Sequence, residues 1–136
     1  MIAARATVTV DLRNTDETTL QRAEAALAAF VQRLADEQSV SVTTRRLVRL
    51  GPVRFDERLV RRVETQALAR GYRTRRMTSG AGHDAQMLAR ICPSTMIFVP
   101  SAKGISHNPR EHTEAADLVR GANVLKDVLL VLASEG

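Results

Sequence analysis

The chain has 136 residues, of which 44% are apolar and 26% charged, a composition that excludes a disordered or fibrous polymer. Lys plus Arg is 20 and Asp plus Glu is 15, giving 20 − 15 = +5 with His neutral, and only Lys103 and Lys126 are lysines. One cysteine, Cys92, excludes an intrachain disulfide and a zinc site built from several thiolates. Aromatic residues are only 3%, which argues against stacking platforms for single-stranded nucleic acid. No apolar run approaches the roughly 20 residues of a membrane helix. The N-terminal MIAARATVTV lacks the apolar centre of a signal peptide and reads as a strand, so a reducing cytoplasm is the expected compartment.

Val8, Val10 and Leu12 alternate with polar residues, the pattern of a half-buried strand. A polar turn follows, and Thr15 or Asp16 can cap the next element. From Glu17 to Gln38, Leu20, Ala23, Leu27, Phe30, Val31 and Leu34 form a helical stripe. Val40 and Val42 open a second strand running toward Leu50, and Gly51-Pro52 marks a boundary. Strand, helix, strand is half of a split α/β sandwich, and it wants partner strands.

Beyond the boundary, Asp56 can cap a helix whose apolar face is Leu59, Val60, Val63 and Ala67, with Gly71 as its stop. Tyr72 to Met77 reads as a short, arginine-rich strand. Thr78 to Asp84 is a small-residue loop, with a short helix predicted over 85–90. Met96 to Val99 is a continuous apolar run, the pattern of a strand covered on both faces. A polar loop from Pro100 to Glu111 precedes a last helix over 113–133. Its expected buried side is Ala115, Leu118, Ala122, Leu125, Leu129 and Leu132.

Two loops carry the polar groups worth weighing. Ser79-Gly80-Ala81-Gly82-His83-Asp84 is either a tight turn with a helix cap or a loop that lets a ligand approach the backbone, with His83 as a donor. It lacks the lysine and spacing of a P-loop. Gly104 to His112 leaves the C-terminal end of the apolar run, where open α/β sheets place ligands. His107, Glu111 and His112 do not have the spacing of a two-histidine zinc helix, and Pro109 blocks a helix there. A catalytic zinc takes about three protein ligands. His83, His107 and His112 are the only histidines, and nothing obvious completes such a set.

Three blocks occur in order: Ser79 to Ala85, Met96 to Ser101 and Gly104 to Glu111. Together with Thr9-Val10-Asp11-Leu12-Arg13 and the tail Asp117 to Leu132, they resemble the C-terminal part of the hydantoinase/carbamoylase amidases. That family includes N-carbamoyl-L-amino-acid hydrolase, allantoate amidohydrolase and β-ureidopropionase, of the metal-dependent aminopeptidase-like superfamily. The resemblance implies an α/β fold in two parts. Residues 1–51 would be the C-terminal half of an α+β sandwich lid, or dimerisation domain. Residues 52–136 would be the C-terminal part of the metal-dependent catalytic domain.

The implied activity is metal-dependent hydrolysis of linear C–N bonds in N-carbamoyl-L-amino acids or related ureido compounds, releasing ammonia and carbon dioxide. The implied metal is divalent zinc or manganese. His107 corresponds to one metal ligand, the other family ligands lying outside these residues. His83 corresponds to the histidine that contacts substrate and polarises the scissile carbonyl. Arg13 corresponds to the arginine that clamps the substrate carboxylate across a dimer interface, a task its bidentate fork suits. Glu111 is placed to hold His107 or to fix its loop. Asn14 and Ala116 depart from the residues common in relatives, a histidine and an acidic residue respectively. The implied partners are a small ureido or carbamoyl substrate and a second copy of the chain through the lid half. Two other classes stand beside this reading: an inactive remnant serving as an interaction module, and a basic nucleic-acid binder.

Overall fold

A computed structural model describes residues 3–135. The chain divides into two units, Met1–Val53 and Arg54–Gly136.

In the first unit, helix α1 spans Glu17–Gln38. Asp16 caps it, its carboxylate accepting from the Thr19 N–H at 2.7 Å, and so satisfies an amide that has no partner within the helix. Leu20 is buried, while Phe30 and Leu34 of the expected stripe stay exposed. Arg49, from the segment after the helix, ties back to α1. It donates to Glu17 Oε1 at 2.6 Å and to Glu24 Oε1 at 3.0 Å. Those two carboxylates raise the pKa of its guanidinium above an arginine's already high value.

In the second unit, helix α2 spans Glu57–Ala69 and helix α4 spans Ala115–Ala133, with the short helix α3 at Asp84–Leu88 between them in sequence. Asp56 caps α2, accepting from the Leu59 N–H at 2.9 Å. The helix ends in a Schellman motif. Gly71, at φ +73°, donates to Leu68 O at 2.9 Å, and Tyr72 donates to Ala67 O at 3.0 Å. Glycine fits there because a left-handed residue carries no Cβ penalty. The turn also drops Tyr72 onto the core of this unit: Ala67, Val124 and Val128, packed about by Val63, Tyr72, Ile97 and Leu132. Arg70 and Asp127 close the same seam with a two-point ion pair, one arm of which is 2.9 Å long. Arg70 holds the Asp127 carboxyl below the ordinary carboxylate range. That contribution is present above pH ~4, the value of an unfolded aspartate, and is lost as pH falls through the depressed folded value.

Two expectations need correction. Among the described residues no segment forms a β-ladder, so 6–12, 40–50, 72–77 and 96–99 run as chain without regular hydrogen bonding. The physical reason is that a strand is defined by a neighbour, and these segments have none. Nor is the run 96–99 covered on both faces, since Phe98 is exposed. The second correction is the face of α4. Val124 and Val128 are buried, whereas Leu118, Leu125 and Leu129 of the expected face are exposed. Leucine and valine occur all around this helix, so periodicity alone does not orient it. The short helix and the last helix also begin and end within two residues of the expected limits, at Asp84–Leu88 and Ala115–Ala133.

Val8, Val10, Val40, Val42, Leu47 and Val48 in the first unit, and Leu118, Leu125, Leu129 and Leu130 in the second, are open to solvent.

The seam can be tested by comparing neighbours on α4. Val128→Ala removes two buried methylenes' worth of contact and is expected to lower unfolding free energy by about 2 kcal/mol. Leu129→Ala, on the open face, is expected to change it by less than about 0.5 kcal/mol. Urea midpoints with unchanged slopes measure both, and the reverse order would put the wrong face of α4 in the core.

Candidate functional site

The second unit positions both loop histidines through the segment 96–99. Ile97 packs on the α2–α4 core. Val99 lies against α4 at Gly121, where an added Cβ would sit 2.6 Å from Val99 Cγ1. Helix and segment approach this closely only because Gly121 has no side chain. Successive side chains of an extended segment point to opposite faces. Phe98 therefore faces away from α4, and it meets the His83 ring edge-on, with centroids 5.9 Å apart and planes at 68°. The contact is the favourable T-shaped one.

His83 is the N-cap of α3, in extended conformation at φ −140°, ψ 153°. Its backbone N–H donates to Gln86 Oε1 at 3.3 Å. Ser79 Oγ accepts from the Ala81 N–H at 3.3 Å, closing a tight turn ahead of the histidine. The loop is thus a turn with a helix cap, and the half-buried His83 imidazole is fixed by Phe98.

The loop after the apolar run is braced by its own polar groups. Ser101 Oγ donates to Ile105 O, and the Ala102 N–H donates to His112 O at 2.7 Å, joining the two ends. A 3₁₀ turn covers Ala102–Gly104. His107 adopts a left-handed conformation at φ +54°, uncommon for a residue with a side chain. Glu111 holds it there, Oε2 accepting from the His107 backbone N–H at 2.7 Å. The Glu111 N–H in turn donates to Asn108 O at 2.8 Å. Glu111 therefore braces the backbone at His107 and not the imidazole. His112 pairs with Glu114 at 3.4 Å on the exposed surface.

In the first unit, the Arg13 fork is turned onto Asp11. Nε donates to Oδ1 at 3.0 Å and Nη2 to Oδ2 at 2.6 Å. Both side chains are 60% exposed. The guanidinium lowers the Asp11 pKa, chiefly through these hydrogen bonds. The fork is arranged to take a carboxylate, and a carboxylate of the chain itself occupies it.

Among the described residues, no three His, Cys, Asp or Glu side chains come together as a bound metal ion would need. The donor set among the described residues does not make a catalytic zinc site by itself. Sequence reasoning missed Phe98 as the neighbour of His83 and Asp11 as the partner of Arg13. The second had a signal, because residues two apart on extended chain share a face. Gln86 had one as well, lying three residues after the cap as in a capping box.

Residues 4–131 match Peptidase family M20/M25/M40. Allantoate amidohydrolase of Bacillus subtilis is 35% identical over 133 residues, covering 98% of this chain and 32% of the relative. N-carbamoyl-L-amino acid amidohydrolase of Geobacillus stearothermophilus is likewise 35% identical over 133 residues, with the same coverage of both. Among solved structures, an amidase of the hydantoinase/carbamoylase family from Burkholderia vietnamiensis superposes with a TM-score of 0.79 at 38% identity, over 86% of this chain and 28% of that one. The chain spans about a third of the length of the curated relatives it matches. The amidases found by sequence and by structure are those that the three loop blocks resemble, and the chain belongs to Peptidase family M20/M25/M40.

Proposed function

We propose that these residues serve an amidohydrolase acting on linear C–N bonds of N-carbamoyl-L-amino acids or related ureido compounds. Water adds to the ureido carbonyl and the C–N bonds break, so that carbon dioxide, ammonia and the free amine account for all atoms. The observation that carries the reading is the 35% identity over 133 residues to both an allantoate and an N-carbamoyl-L-amino acid amidohydrolase. The Arg13 fork supports it, being a bidentate carboxylate receptor at an exposed turn.

In this reading Arg13 binds the substrate carboxylate, exchanging Asp11 for it. His83, with its ring fixed by Phe98, donates toward the scissile carbonyl. His107 is the one ligand this chain brings to a divalent metal, zinc or manganese, and Glu111 keeps its loop in place. The remaining ligands come from polypeptide outside these residues. Residues 1–51 act as half of a lid through which two copies associate, and residues 52–136 as part of an α/β catalytic domain whose strands form when their neighbours are present. A cytoplasmic enzyme is consistent with a chain in which no helix among the described residues is long and apolar enough to cross a membrane.

Two measurements test this. In an amidohydrolase of the relatives' length carrying these residues, Arg13→Ala and Arg13→Lys should both lower kcat/KM for an N-carbamoyl amino acid, with metal content unchanged. Losing a bidentate charged contact costs about 2–5 kcal/mol, roughly 30-fold or more, and lysine lacks the fork. The loss should shrink for an analogue whose carboxylate is a neutral amide. Unaltered turnover of the carboxylate substrate by Arg13→Ala would leave the substrate class without support. For the 136-residue chain itself, titration against a chromophoric zinc competitor should show weak binding only. A tight stoichiometric site abolished by His107→Ala would contradict the assignment of a single ligand.

A further inference from the structure

The fork of Arg13 holds a carboxylate of its own chain. Asp11 stands two residues before it, with only Leu12 between. Nε lies 3.0 Å from Oδ1 and 3.1 Å from Oδ2, and Nη2 lies 2.6 Å from Oδ2. Two donors on one edge of the guanidinium thus meet both oxygens of one carboxylate, the geometry in which arginine binds a carboxylate bidentately. Both side chains are exposed, so they separate into water without stranding a buried charge. The guanidinium holds the Asp11 carboxyl below the usual carboxylate range, chiefly through these hydrogen bonds. Asp11 is therefore charged wherever a substrate carboxylate is. Tethered this closely, the two groups meet at an effective concentration of millimolar order.

We propose that Asp11 is a built-in competitor for the Arg13 fork, sharing it in turn with the carboxylates of substrate and product. The proposal deepens the reading above and rests on it for the role of Arg13. An N-carbamoyl amino acid and the amino acid it yields differ at the nitrogen and share the same carboxylate. A clamp on that group holds both. Binding that is equal throughout the reaction does not speed the bond-breaking step, and it slows the departure of product.

Asp11 answers that difficulty. A ligand gains from the fork only the difference between its own pair and the Asp11 pair. Substrate and product are weakened by one common factor, and the fork is refilled as product leaves. A ligand with a neutral amide in place of the carboxylate brings no charge to match that of Asp11. It leaves the Asp11 pair closed, and its affinity does not depend on Asp11.

The test uses Asp11→Asn, which removes the charge, in an amidohydrolase of the relatives' length carrying these residues. KM for an N-carbamoyl amino acid and the inhibition constant of the released amino acid should fall together. The expected fall is about two- to five-fold, the range of an exposed ion pair. Asp11→Glu, which restores a carboxylate within reach, should reverse most of it. The neutral-amide analogue should show no fall, and in an Arg13→Ala background Asp11→Asn should have no effect. A second measurement needs no turnover. In the 136-residue chain, Asp11→Asn should move the Arg13 Nε–H resonance and speed its exchange with water. An identical resonance in the two chains would mean that no pair forms in solution and would overturn the proposal. A KM that is unchanged or raised by Asp11→Asn, with Arg13→Ala still damaging, would keep the clamp and overturn the competitor. An Arg13→Ala enzyme with unaltered KM for the carboxylate substrate would remove the reading on which the proposal rests.

Discussion

The seam between α2 and α4 is what the second unit depends on. Ala67, Val124 and Val128 bury their side chains there, and Arg70 reaches across it to Asp127. Ile97 packs on the same cluster, which seats the apolar run against α4. Gly121 then admits Val99, and alternation turns Phe98 outward to His83. The loop carrying His107 begins where that run ends. The placement of both histidines thus descends from a few small aliphatic contacts. Ala67 and Gly121 matter for the volume they do not occupy.

The helices were legible because their signals are local. Asp16 and Asp56 lie immediately before α1 and α2 and cap them, and Gly71 ends α2 in the left-handed geometry that glycine favours. The extended segments were readable as apolar alternation but not as strands, because a ladder needs a second chain segment that no local pattern supplies. The buried face of α4 was not legible, because Leu118, Leu125 and Leu129 are as apolar as the Val124 and Val128 that pack. In the site, motif resemblance picked out Arg13, His83, His107 and Glu111. What it did not give is how each is held: an exposed fork on Asp11, a ring edge on Phe98, and a carboxylate on a backbone amide in place of an imidazole.

The arginine surplus has a structural outlet. Arg49, Arg62, Arg70, Arg76 and Arg120 all pair with carboxylates of the chain, several of them between segments distant in sequence. Pairs this exposed contribute modestly to stability. They tie segments together and leave the net charge at +5, which already counts every carboxylate.

Amide hydrogen exchange on the 136-residue chain tests the dependence of the second unit on its helical seam most directly. The expected pattern is slow exchange for the interior amides of α2 and α4, and for Tyr72, whose N–H is bonded to Ala67 O. Residues 73–77 and 96–99, without ladder partners, should exchange close to the rates of unstructured peptide. Protection of 96–99 equal to that of α4 would contradict the account, because it would mean that a β-ladder, and not the α2–α4 seam, holds the segment from which both histidines are positioned.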